Sequence, residues 1–221
     1  MQLKAQGAGG DLLLVDGRLL RLAGLPPPTD EAASQRRAAA LALWTGRDLR
    51  LVLASPEPDR WGRLVGDLAL PEAGTGQVLT LALDLTARGL ALPDPARVLP
   101  GCREAFAQAE KQAKGVSAQN TAAIDPHDLE TAKARAGQFA AFEGQLVSVG
   151  ERQRVTYLNF AWHRSKGASV VVPTRLWRDM QQRGWTAESL PRKRVRARGV
   201  IVFRDGPSLT LTSLSHFEVL D

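Results

Sequence analysis

Residues Leu20 to Thr29 read LRLAGLPPPT, and DRWGR follows at Asp59 to Arg63. The first stretch sets Arg21 inside an apolar strand and then ends that strand, because Pro26, Pro27 and Pro28 lack the N–H that a ladder needs. Working backwards, Asp11 to Val15 and Arg18 to Ala23 read as two short strands around Asp16-Gly17, a dipeptide that favours a tight hairpin turn. Working forwards, Thr29 or Asp30 offers a side-chain oxygen to the first unpaired N–H groups of a helix through EAASQRRAAALALW, ending near Gly46. Strand-like LRLVLA and RLVGDLAL come next, the second opening on Arg63, followed by helical stretches over Val78 to Leu90 and Pro100 to Lys114. Strands with helices segregated around them describe a small barrel.

From Gly115 to Ala134 the chain is polar, holds Pro126 and shows no sustained period, so it reads as a linker with room for a short helix near its end. The pattern then turns to strands: FAAFEGQLVSVGE, RVTYLNFAW and ASVVVP, a helix from Thr174 to about Gly184, then KRVRARGVIVF and SLTLTSLSHFEVL around Asp205-Gly206. Three strands, a helix and two more strands give the order of a five-stranded Greek-key barrel of the oligonucleotide-binding kind. The expected organisation is mainly β with helices, in the α+β class: a first barrel over residues 1–116, a linker over 117–135 and a second barrel over 136–221.

A chain of 221 residues has room for two such domains, each with a real core. No apolar run approaches the roughly 20 residues that span a bilayer. The opening MQLKAQGAGGD has no apolar stretch of the secretory kind, which makes a cytoplasmic location the expectation. The single cysteine, Cys102, rules out an internal disulfide and reads as a half-buried helix residue. Three scattered histidines give no metal-ligand spacing, and His127, between Asp125 and Asp128, reads as solvated loop. The net charge of +6 is uneven: residues 1–130 carry 14 Lys+Arg against 16 Asp+Glu, and residues 131–221 carry 15 against 7. A basic second half implies an anionic partner there, nucleic acid before membrane, since no basic amphipathic helix is present.

Five ordered segments carry a resemblance: GGDL at Gly9 to Leu12, RLAGLPPPT at Arg21 to Thr29, DRWGR at Asp59 to Arg63, ARGLA at Ala87 to Ala91, and AEKQA at Ala109 to Ala113. In this order they resemble the DGDT, RLxGIDxPE, DRYGR, LxxxGLA and AExxA segments of the staphylococcal-nuclease (thermonuclease) family. The C-terminal part is similar to the oligonucleotide-binding barrel appended to many bacterial members. The resemblance implies phosphodiester chemistry in which carboxylates hold calcium, a glutamate activates water, and two arginines bind the phosphate and stabilise its transition state. It places the arginines at Arg21 and Arg63 and one metal carboxylate at Asp11. Gly9 stands where the family has another acid, Pro26 where it has a metal-binding aspartate, and Thr29 where it has the glutamate base.

A threonine hydroxyl is no base near neutral pH, and proline offers calcium only a backbone carbonyl, whereas calcium takes about six to eight oxygens. A positioned general base contributes about 10² to 10⁴ in rate. The resemblance and its gaps together lead to the expectation of a catalytically degenerate, thermonuclease-like protein that binds nucleic acid, DNA or RNA, without a cofactor. Two alternatives stay open. One is an active calcium-dependent phosphodiesterase in which Asp30 or Glu31 swings inward; the other is a protein-interaction scaffold.

In the second half, strand alternation puts Arg194, Arg196 and Arg198 on one face and Val195 and Ala197 on the other. That spacing suits a phosphate-binding stripe, and equally a strand face paired with cross-strand carboxylates. Tyr157 is a candidate stacking platform for a base. Phe160, on the opposite face, reads as core, and Trp177 and Trp185 as packing.

Overall fold

The computed structural model describes residues 1–71, 79–113, 122–163 and 166–220. Val78, Lys114 and residues 115–121 of the expected linker lie outside the described residues. The chain divides into two compact units, Met1–Thr121 and Ala122–Asp221. Among the described residues no helix is long and apolar enough to cross a membrane.

In the first unit, β1 (Leu3–Gln6), β2 (Leu12–Leu14) and β3 (Leu19–Leu22) form an antiparallel meander. Strand β1 has no counterpart among the expected strands, and of its four residues only Leu3 is fully buried. Gly17, at φ +87°, closes the expected hairpin between β2 and β3. After the prolines, α1 (Glu31–Leu41) starts on Asp30, whose side chain accepts from the Ala33 N–H. Then β4 (Arg50–Leu53) pairs antiparallel with β5 (Leu64–Ala69), and β5 returns parallel to β3, giving the order β1-β2-β3-β5-β4. A parallel pair needs a crossover connection, and α1 lies on it. Gly66 permits the close approach of β4, since a Cβ there would sit 2.2 Å from the Val52 carbonyl oxygen. Helices α2 (Leu81–Ala87) and α3 (Arg103–Ala113) follow, each shorter than its sequence pattern. Alternation on β3 sends Leu20 and Leu22 into a leucine-rich core and leaves Arg21 on the other face, half-buried.

In the second unit, Ala122 onwards already belongs to the packed structure. Ile124 bridges Phe142, and Ala132, on α4 (Leu129–Ala134), is fully buried. Strands β6 (Phe139–Gln145), β7 (Ser148–Glu151), β8 (Val155–Asn159) and β9 (Ser169–Pro173) precede α5 (Thr174–Gln182). After it come β10 (Arg194–Phe203), β11 (Pro207–Thr210) and β12 (Phe217–Val219). The sheet runs β12-β10-β11-β9-β8-β7, with β6 also on β10, and β11 lies parallel to β9. Both units therefore send the chain from their third sheet position through a helix and return the last main strand parallel beside it.

One carboxyl group lies inside the first core. Asp67, on β5, is 3% exposed and accepts from the backbone N–H groups of Leu68 (2.8 Å) and Ala82 (3.1 Å). Burial pushes its pKa up to about 6, against the lowering effect of the Thr80 hydroxyl and the two amides. A folded-state acid that holds its proton more tightly than the unfolded one stabilises the fold below the ordinary carboxyl value near 4; this contribution fades as pH climbs through about 6. Asp67→Asn keeps the acceptor oxygen and removes the ionisation. Thermal unfolding from pH 4 to 8 should show wild-type stability falling by about 2–3 kcal/mol relative to the variant, the cost of ionising a buried carboxyl held at about 6. Parallel profiles would contradict this assignment.

Candidate functional site

The DRWGR segment folds on its own aspartate. Asp59 Oδ1 accepts from the backbone N–H of Trp61 (2.9 Å) and Arg63 (3.0 Å), and Oδ2 accepts from Arg63 Nε (2.9 Å) and Nη2 (2.6 Å). Gly62, at φ +74°, completes the turn. The Arg63 guanidinium beside it holds the Asp59 carboxyl down to about 2, and the same hydrogen bonds raise Arg63. The turn leaves Trp61 62% exposed, with the guanidinium carbons of Arg60 and Arg63 at 3.9 and 4.6 Å from the centroid of its ring. Such stacking is favourable because the ring face is electron-rich.

Asp11, immediately before β2, joins the two arginines. Its Oδ1 accepts from Arg21 Nε (2.5 Å) and its Oδ2 from Arg63 Nη1 (3.0 Å). The fold thus brings together the three residues that the nuclease resemblance singled out, although they are 10 and 52 positions apart along the chain. Asp11 is 7% exposed, and both of its oxygens are committed to guanidinium groups. Among the described residues Arg21 hydrogen bonds through Nε, and its two Nη groups have no protein acceptor.

The proline segment is fastened beside them. Gly10, at φ +81°, lies under Pro28, and a Cβ there would come within 2.3 Å of Pro28 Cδ. Arg37, buried on α1, donates from Nη1 to the Pro26 carbonyl (2.8 Å) and from Nε to the Leu90 carbonyl (2.9 Å). Burial pushes its pKa down to about 10, which leaves it charged at neutral pH. Thr29 hydrogen bonds Asp30 (3.2 Å), and Asp30 caps α1 through the Ala33 N–H (2.7 Å). Glu31 is exposed on the first turn of α1 and accepts from Gln35. Neither acid turns toward Asp11.

Calcium, which the nuclease resemblance implies, does not fit these residues. Asp11 is spent on two guanidinium groups and the Pro26 carbonyl on Arg37. Among the described residues no three of His, Cys, Asp and Glu gather to hold a metal ion.

In the second unit the strand arginines meet carboxylates. Register sets Glu143 of β6 and Glu218 of β12 on either side of Arg196. Glu143 accepts from Arg194 Nη2 (2.8 Å) and from Arg196 Nε (2.8 Å) and Nη2, and Glu218 accepts from Arg198 Nη1 (2.7 Å). Arg196 and Arg198 are buried and Arg194 is exposed. Tyr157 is half-buried on β8, opposite Gly150 and Val171. On the same strand face Asn159 donates to Ser148 (3.2 Å) and accepts from Ser169 (3.0 Å), a polar row across β7, β8 and β9. Phe160 is fully buried and Trp162 is 78% exposed.

Within DRWGR the resemblance points to Arg63 alone and passes over Asp59 and Trp61. An acid four residues before an arginine, with an aromatic between them across a glycine turn, was the available signal. Glu143 and Glu218 gave none, because pairing them with the arginines requires strand register.

No family model matches the chain, and no curated protein matches it. Among solved structures it is similar to OBody AM1L10 bound to hen egg-white lysozyme, at 16% identity over 40% of this chain and 83% of that one, with a TM-score of 0.31. It is also similar to the p204 HINb domain, at 17% identity over 71% of this chain and 61% of that one, with a TM-score of 0.32. Likeness at this level says nothing about what the chain does.

Removing one partner of a buried ion pair leaves an uncompensated charge. Glu143→Gln should therefore lower the unfolding free energy of the second unit by roughly 3 kcal/mol in a urea titration. An unchanged midpoint would mean that the pair behaves like an exposed one, worth little.

Proposed function

We propose that this chain is a two-domain nucleic-acid-binding protein of thermonuclease-like design that grips phosphate without hydrolysing it. The observation that carries the reading is the placement of Asp11 between Arg21 and Arg63. The two phosphate-binding arginines of the resembled family converge, but the carboxylate beside them is engaged with arginine and the glutamate base has no counterpart. Planar guanidinium groups suit phosphate oxygens, and an exposed tryptophan alongside gives a base a surface to stack on.

The common strand order of the two sheets supports reading both units as barrels of the oligonucleotide-binding kind, whose second and third strands form a ligand face. In the second unit a row across three neighbouring strands has Ser148 on β7, Tyr157 and Asn159 on β8 and Ser169 on β9. Exposed Arg194 offers a phosphate contact beside its bond to Glu143, whereas the charges of buried Arg196 and Arg198 are balanced by Glu143 and Glu218. An active phosphodiesterase gains no support from the positions of Asp30 and Glu31.

A fluorescent single-stranded oligonucleotide, titrated at several salt concentrations with and without calcium, tests the reading. Binding should weaken with salt, and the labelled strand should stay intact over hours in calcium. Arg194→Ala should flatten the log-affinity against log-salt slope by about 0.7, the value of one phosphate contact on a single strand. Tyr157→Ala should weaken binding by about tenfold if a base stacks there. Cleavage that stops in chelator and in Arg63→Ala would overturn the proposal in favour of an active enzyme.

A further inference from the structure

Asp11 poses a physical question that the binding proposal leaves open. An oligonucleotide phosphate and the Asp11 carboxylate present the same features to the two arginines: one negative charge and a pair of acceptor oxygens. Asp11 already occupies Arg21 Nε and Arg63 Nη1, and Arg63 is held from its other side by Asp59 through Nε and Nη2. Arg63 therefore has little left to offer a second anion unless Asp11 lets go. Arg21 keeps its two Nη groups, and its side chain is 25% exposed.

The placement of Asp11 is also well fixed. It is 7% exposed, and Gly10 before it is packed under Pro28, on the segment that Arg37 anchors by the Pro26 carbonyl. The local charges balance as Arg21 with Asp11 and Arg63 with Asp59, and Arg60 over Trp61 adds a further positive charge at the exposed edge.

From this arrangement we infer that Asp11 is a resident anion that competes with nucleic-acid phosphate for the Arg21–Arg63 cradle and holds the affinity of the site down. This rests on the proposed binding function and gives it an unexpected sign. A carboxylate that holds a metal for phosphate binding strengthens the site, whereas a carboxylate that fills the phosphate's place weakens it. An amide in its place keeps one acceptor oxygen, so a donor is freed on one of the two arginines, and a like charge about 5 Å from the incoming phosphate is removed. At about 5 Å that repulsion corresponds to about fourfold in affinity at the dielectric of water and to a few hundredfold at an effective dielectric of about 20, so a gain of about tenfold marks a site near the solvated end of that range.

The test compares wild type, Asp11→Asn, Arg21→Gln, the double variant Asp11→Asn/Arg21→Gln and the charge control Glu104→Gln on the first turn of α3, all in the full chain. The probe is a fluorescent four-nucleotide single-stranded DNA. Inorganic phosphate serves as competitor, to separate a site for free phosphate from one that needs the nucleic-acid chain. Asp11→Asn should bind the probe about tenfold more tightly, with the gain absent in the double variant and Glu104→Gln within twofold of wild type. Because Asp11→Asn also removes two ion pairs, a second readout is the rise in its melting temperature on adding probe or phosphate, which should exceed that of wild type.

Unchanged or weaker binding by Asp11→Asn, with no larger melting shift, would overturn the inference while leaving the binding proposal standing, provided Arg21→Gln weakens wild-type binding. If Arg21→Gln has no effect in either background, the cradle itself is not a nucleic-acid site and both fall. Competition by inorganic phosphate as strong as that by unlabelled probe would overturn a nucleic-acid ligand in favour of free phosphate.

Discussion

A single carboxylate shared between two guanidinium groups ties three distant segments of the first unit together. Asp11 sits at the entry to β2, Arg21 lies on β3, and Arg63 closes the DRWGR turn before β5. Strand alternation sets Arg21 on the face away from Leu20 and Leu22, and the parallel pairing of β3 with β5 brings the end of the DRWGR turn alongside. The Asp59 turn fixes which edge of Arg63 is free to meet Asp11. The ion pairs are partly solvent-exposed, so they add modestly to stability. Their larger consequence is that each Asp11 oxygen already faces a guanidinium charge, which repels an incoming cation.

The prolines reinforce that constraint. A loop carrying two acids could turn them toward Asp11 and share a metal with it. Here the loop is packed on Gly10 at one end and held through the Pro26 carbonyl by a buried arginine at the other. The nearest acid, Asp30, is consumed in starting α1, where its side-chain oxygen satisfies a helix N–H that would otherwise lack a partner. The residue types in the loop and its local structure act in the same direction.

Much of this was legible in the residues, and the exceptions have physical causes. Strong local signals located most elements: Asp16-Gly17 for the hairpin, Asp30 for the start of α1, and alternation for β10. Strand β1 is short and has one deeply buried side chain, so it left almost no pattern. The resemblance to the nuclease family implies one site for Arg21, Arg63 and Asp11, but not the bonding among them, which depends on the direction each side chain takes. Alternation on β10 gave the three arginines a common face. It could not show that β6 and β12 flank that strand with Glu143 and Glu218, because register between strands more than 20 residues apart is a tertiary property. Burial of Asp67 had no local signature either, since its acceptor role is filled by amides from its own strand and from the start of α2.

The central claim is that the Asp11 site receives anions and not a cation. Side-chain nuclear magnetic resonance of the full chain tests it directly, by following the Asp11 carboxyl carbon and the Arg21 and Arg63 Nε signals during separate titrations with calcium and with a single-stranded tetranucleotide. The account predicts that millimolar calcium leaves all three unmoved and that the tetranucleotide shifts the arginine signals to saturation. A saturating calcium-induced shift at Asp11, with the arginine signals indifferent to the tetranucleotide, would contradict it.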